Sequence, residues 1–254
     1  MKLNNLLKNK YILYILLTLS IVSLIFSSIQ IFTYFKDNYE NTIIFNNIKR
    51  NIKEENNNIS QNNNKYNINF ENFKKQNEDT VGFLKVNGTD IETLVVKSRD
   101  NNYYLTHNFK REKNKSGWIF MDYRNKLDGN DKNIIIYGHN MRNGSMFASL
   151  KNTLDNSWLE NKENQSIIFE TENKHTIYQV FSVYKIKKED YYLTTDFKDD
   201  DYKNFISTLK KRSIYNFDVD INDTDNILTL STCANNSNYR IVLHAKKTIE
   251  NNNF

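Results

Sequence analysis

The sequence predicts a mainly β domain, an eight-stranded closed or nearly closed barrel, with helices before it and one helix between the sixth and seventh strands. Three observations carry this expectation. From Val81 onward the chain is a succession of short runs rich in branched and aromatic residues. Before it stand a long charge-free stretch and apolar residues at helical spacing. Among the strand-like runs a single amphipathic helical pattern stands out, closing at Arg212.

Taken in order, Tyr11 to Phe35 is 25 residues without a charge, preceded by Lys2, Lys8 and Lys10. About 20 apolar residues span a bilayer, so this stretch is long enough even when tilted. No Ala-x-Ala-like cleavage site follows it, which favours an uncleaved anchor over a signal peptide. The three lysines place residues 1–10 in the cytoplasm and the remainder outside, although Lys36, Lys49, Arg50 and Lys53 lie on the far side. Residues 36–80 read as a helical, asparagine-rich extension. Ile44, Ile48 and Ile52 keep helical spacing with Phe45 beside them, whereas the 30 residues from Asn51 to Thr80 hold 11 asparagines. That composition reads as a spacer lifting the catalytic domain, 81–250, off the membrane.

Within 81–250 the expected strands are Val81–Val86, Ile91–Val96, Gly117–Met121, Ile134–Tyr137, Ser166–Glu170, Thr176–Ile186, Ile227–Thr232 and Tyr239–Ala245. The helix starts at Asp199-Asp200-Asp201 and ends at Lys210-Lys211-Arg212, charges that complement its dipole. Tyr202, Phe205, Ile206 and Leu209 form its apolar stripe.

Cys233 is the only cysteine, so it has no partner within the chain for a disulfide. It closes the strand Ile227–Thr232, and Arg240 opens the next strand after a polar connection. A hairpin would set the two residues about 5 Å apart. A guanidinium at that distance favours the nucleophilic thiolate and can hold a developing oxyanion. His139 follows Ile134-Ile135-Ile136-Tyr137-Gly138, a buried strand after which Gly138 lets the chain turn sharply. An imidazole there is suited to protonating a leaving amine near neutral pH. His107, His175 and His244 read as surface or satisfied core residues.

Tyr-Gly-His-Asn at 137–140, Thr-Leu-Ser-Thr-Cys at 229–233 and an arginine soon after resemble the sortases, membrane-anchored cysteine transpeptidases of Gram-positive bacteria. Class B is the closest match, on Asp100–Leu105, Gly117–Asp122 and His139 with Met141–Phe147; the resemblance runs from about Val81 to Lys247. It implies a sortase-like eight-stranded barrel with an N-terminal helical extension packed on it, so that part of 60–78 is helical. It also implies a thiol enzyme that cleaves a sorting motif after threonine and passes the acyl group to a peptidoglycan or lipid II amine. Its protein partners would be surface proteins bearing C-terminal sorting signals. Catalysis falls to His139, Cys233 and Arg240, and substrate contacts to Asn101, Leu105, Tyr191 and Ser231. One departure matters: residues 234–238 hold no Asp or Glu, which rules out a Cys-His-Asp triad from that loop.

Other classes fit less well. A papain-type wall hydrolase puts its cysteine before its histidine, the reverse of the order here. An inactive wall-binding domain has no need of His139, Cys233 and Arg240 together. A polymerase joining pilin subunits through lysine fits the same residues and stays open. Lys and Arg are scattered among Asp and Glu despite a net charge of +5, which argues against nucleic acid. With one cysteine, four separated histidines and six glycines, neither a metal cluster nor a phosphate-cradling loop is expected. No cofactor is expected.

Overall fold

The computed structural model describes residues 10–57, 66–198, 201–233 and 238–253. The chain divides into two compact units, Met1–Glu40 and Asn41–Phe254. Helix α1, Lys10–Asn57, starts in the first unit and runs on into the second. Its N-terminal half displays Leu17, Leu24, Phe32 and other large apolar side chains outward. Ser27 and Ser28 return their hydroxyls to the carbonyls of Ser23 and Leu24, at 2.9 and 2.8 Å, so these polar groups are satisfied inside the helix. Among the described residues it is the one helix long and apolar enough to cross a membrane.

The second unit is a closed barrel in the order β1-β2-β3-β4-β7-β8-β6-β5. Its strands are β1 Thr80–Val86, β2 Glu92–Val96, β3 Phe120–Met121, β4 Asn133–Gly138, β5 Ser166–Glu170, β6 Lys174–Lys187, β7 Ile227–Cys233 and β8 Tyr239–Asn252. All neighbours are antiparallel except β2–β3 and β4–β7. Ile136, Leu228, Leu230 and Leu243 fill the interior with Phe83, Trp118 and Phe169. Alternate residues of β4 and β7, including Tyr137, Thr229 and Ser231, therefore face outward, following the period of two along a strand.

The extension packs on this barrel and part of 60–78 is helical, as the family resemblance implies. Ile44, Ile48 and Ile52 of α1 are buried in the main core, and Phe45 stacks on Trp118 with ring centroids 4.4 Å apart. Asn41 donates to the Gly117 carbonyl at 3.3 Å and to Asn114 Oδ1 at 3.2 Å. A short helix α2, Phe70–Gln76, is capped by the Asn69 side chain and buries Phe70 and Phe73. Composition hid this packing because the apolar residues are sparse among the asparagines. The most asparagine-rich stretch, 58–65, lies outside the described residues.

Three further details differ from expectation. Gly117–Met121 is strand only at β3: Gly117 has φ of 57°, and the Trp118 N–H bonds Tyr104 O at 2.9 Å instead of a strand neighbour. Between β4 and β5 lie a 3-10 helix, Ala148–Leu154, a one-turn helix α3, Asn156–Leu159, and a 3-10 turn, Lys162–Asn164. Short turns of mixed polarity leave no periodicity to read. Strands β6 and β8 are longer than predicted because their polar ends pair with each other, Lys174 with Asn252. The helix between β6 and β7 is α4, Asp201–Arg212, with Tyr202, Phe205, Ile206 and Leu209 buried as expected. The capping expectation for Asp199 and Asp200 and the connection 234–237 lie outside the described residues.

Candidate active site

The barrel topology brings the three expected catalytic residues to one level. On the parallel pair β4–β7 the last matched residues are Gly138 and Thr232, and the next residue on each chain is His139 and Cys233. On the antiparallel pair β7–β8, Cys233 is matched with Arg240. Adjacent strands lie about 4.8 Å apart. Histidine, cysteine and arginine thus stand side by side at the ends of three neighbouring strands, with the cysteine in the middle.

His139 is half-buried and its ring is held from one side. Its Nε2 lies 2.9 Å from the carbonyl oxygen of Leu105. A carbonyl only accepts, so Nε2 carries the proton, and in the neutral ring Nδ1 has the free lone pair. That carbonyl is itself fixed. Leu105 ends the 3-10 turn Tyr103–Leu105, and Tyr104 is fully buried, with its hydroxyl bonded to Asp79 at 2.7 Å. Gly138 acts differently from expectation. Its φ is not positive; instead a Cβ there would sit 2.7 Å from the Phe147 ring, so a missing side chain lets Phe147 pack under the His139 loop. The Phe147 N–H also bonds the His139 carbonyl at 2.9 Å. Arg240 is half-buried, and its Nη1 donates to the Tyr239 carbonyl at 3.0 Å.

Residues 84–248 match the sortase domain family. The chain belongs to the sortase family. Sortase B of Listeria monocytogenes serovar 1/2a is 39% identical over 178 residues, covering 68% of this chain and 72% of its own. Among solved structures, Clostridium perfringens sortase B superposes with a TM-score of 0.67 at 38% identity, over 71% of this chain and 100% of that one. A Staphylococcus aureus sortase B–substrate complex gives 0.66 at 38% identity, over 70% of this chain and 84% of that one. These relatives make this a class B sortase, and with the class comes a transpeptidase activity.

On the outward face of β7, leading up to Cys233, runs a band of satisfied hydroxyls. Ser231, two residues before Cys233, bonds the Tyr192 hydroxyl at 3.0 Å. Thr229 bonds Asn133 Oδ1 at 2.6 Å and His244 Nδ1 at 2.9 Å, and His244 Nε2 meets the Tyr184 hydroxyl at 2.9 Å. Thr229 has one proton to give, so it donates to Asn133 and accepts from His244, whose other nitrogen accepts from Tyr184. Burial, with the Arg212 charge nearby, pushes the His244 pKa down to about 3. His244 is a neutral structural residue. His175 bonds buried Glu170 at 2.6 Å, and His107 stacks on Tyr103, as the sequence reading of both implied.

The expected substrate contacts fall in two groups. Leu105 meets His139 through its carbonyl, Ser231 lies two residues before Cys233 on β7, and Asn101 donates to Asp122 at 2.9 Å. Tyr191 is 41% exposed, but its ring packs on Phe205 and under Arg212 of α4. Its neighbour Tyr192, fully buried, is the residue that reaches β7. Sequence reading also passed over Asp122, Arg124 and Tyr137. The signal for Tyr137 was there, two residues before His139 and so on the same face of β4.

Proposed function

We propose that this sortase cleaves an Asn-Pro-x-Thr-like sorting motif after its threonine and transfers the acyl group to a cell-wall amine. The observation that carries the mechanism is the alignment of His139, Cys233 and Arg240 across β4, β7 and β8. The Cys233 thiolate attacks the threonine carbonyl, and Arg240 stabilises the resulting oxyanion. The imidazolium of His139 gives its Nδ1 proton to the departing amine, and the C–N bond breaks to leave a thioester. An incoming amine loses its proton to Nδ1 as it attacks, and the thiolate leaves. Throughout, Nε2 stays bonded to Leu105, so the ring need not flip between steps.

The test uses the full-length chain in detergent micelles, fluorogenic peptides and triglycine as the amine probe. Asparagine-led peptides should be cleaved faster than leucine-led ones, with a product carrying triglycine joined to threonine by mass. Hydrolysis alone, with no triglycine adduct at any concentration, would refute transpeptidation to a peptide amine. A tenfold preference for leucine-led peptides would refute the motif.

The segment 11–35 is the membrane anchor in this reading, crossing once with the barrel outside. Its support is the outward apolar surface of α1. Protease added to intact cells should remove the catalytic domain and leave a membrane-bound N-terminal fragment. Degradation only after lysis would reverse the orientation.

A further inference from the structure

Behind Tyr137 lies a carboxylate that the mechanism above does not use. Asp122 is fully buried directly after β3, where its N–H bonds the Ile135 carbonyl of β4 at 2.8 Å. Its Oδ1 accepts from Arg124 Nε at 2.8 Å and from the Arg124 N–H at 3.0 Å. Its Oδ2 accepts from Arg124 Nη2 at 2.7 Å, the Tyr137 hydroxyl at 2.7 Å and Asn101 Nδ2 at 2.9 Å. Burial alone would raise its pKa, but the bonds from Arg124 and Tyr137 outweigh that and hold the carboxyl below the usual carboxylate range. The group is an anion at neutral pH.

The consequence is directional. An anionic carboxylate can only accept, so the Tyr137 hydroxyl proton is committed to it and the Tyr137 oxygen has only lone pairs to offer elsewhere. Asn101 cannot flip: its Oδ1 accepts from the Tyr123 N–H at 3.0 Å while its Nδ2 donates to Asp122. Its second amide hydrogen is therefore the group it can present. Both residues meet on the same carboxylate oxygen, which keeps acceptor and donor side by side. Tyr137 is matched with Ser231 on β7, two residues before Cys233, and Asn101 is tied to Tyr137 through their shared carboxylate oxygen.

We propose that Asp122 is a positioning residue that sets the hydrogen-bond polarity of the substrate groove. By accepting one hydrogen bond from Tyr137 and one from Asn101, it leaves an oxygen acceptor beside an N–H donor. That pair is complementary to a carboxamide, which offers one N–H and one oxygen, and mismatched to a carboxylate or an ammonium. The proposal rests on the motif reading above and gives it a physical cause. Arg124 adds the third wall: its Nη2 also reaches the Leu193 carbonyl at 2.9 Å, tying the carboxylate to the turn that carries Tyr192.

The experiment compares wild-type, Asp122→Asn and Tyr137→Phe full-length enzyme on peptides differing only at the first motif position: Asn, Asp, Ala or Leu. Asp122→Asn should raise KM for the asparagine-led peptide about tenfold, the size of one unsatisfied buried hydrogen bond, and change kcat by no more than about threefold. The alanine-led peptide should change no more than about threefold in either constant, because it makes no such bond. A merely structural role would lower kcat for every peptide alike, and that result overturns the proposal. Tyr137→Phe guards against misfolding of the first variant, since it deletes one donor and keeps the Arg124–Asp122 ion pair. It should show the same selective rise in KM, and an unchanged ranking in this variant also overturns the proposal. A wild type that prefers leucine-led peptides sinks the motif reading separately. Asp122 is then judged by whether Asp122→Asn reorders the Asn-, Asp- and Ala-led peptides.

Discussion

Cys233→Ala should abolish cleavage of sorting peptides, with turnover falling roughly 10⁴-fold or more, as loss of a nucleophile does elsewhere. The melting temperature should barely move, because trading a thiol for a methyl at the end of β7 costs no more than about 1 kcal/mol. The chain makes this test unusually clean. Cys233 is its only thiol, so a thiol-directed reagent labels the wild type at one site and the variant at none. Labelling should abolish wild-type turnover in step with the fraction modified. Arg240→Lys refines the result: lysine keeps the charge that favours the thiolate and loses the planar fork that bonds two acceptors at once. That variant should still be labelled while its turnover drops. Substantial cleavage by Cys233→Ala would remove the cysteine from the mechanism, whatever the family.

How much of this was legible in the sequence depends on which force decides each element. Strands buried on one or both faces announce themselves through Ile134–Ile136 or Ile227–Leu230, because apolar burial dominates there. The hairpin that matches Cys233 with Arg240 could be read from spacing alone, and the register agrees. The contribution of β4 could not, since a parallel neighbour is chosen by the closure of the whole barrel and no local signal names it. The Asp122 cluster was hidden for a related reason. Its members at 101, 122, 124 and 137 come from three segments, and although Asn101 and Tyr137 could each be singled out, nothing local joins them to Asp122 and Arg124 until the fold assembles them. The split between Tyr191 and Tyr192 was also out of reach: aromatic neighbours in a turn look alike in sequence, and only packing decides that Tyr192 points inward to Ser231 while Tyr191 stays 41% exposed.

His139→Gln carries the second large effect and separates two jobs that the imidazole could do. Glutamine can keep an N–H on the Leu105 carbonyl, replacing the 2.9 Å bond made by Nε2, so the loop after β4 should hold its shape. It cannot deliver a proton to a departing amine. A positioned acid or base is worth about 10²- to 10⁴-fold, and kcat for amide-bond cleavage should fall by that amount. The discriminating substrate is a sorting peptide whose scissile bond is an activated thioester. Its leaving thiolate needs no proton, so acylation of Cys233 should survive in the variant and appear as a burst. The steady phase after the burst should be slow, because the incoming amine then has no base at Nδ1. An amide defect with the burst preserved assigns His139 to proton transfer. Equal loss of the burst and of amide cleavage would mean that His139 serves instead to keep the cysteine ionised, and the proton-transfer role would have to be abandoned.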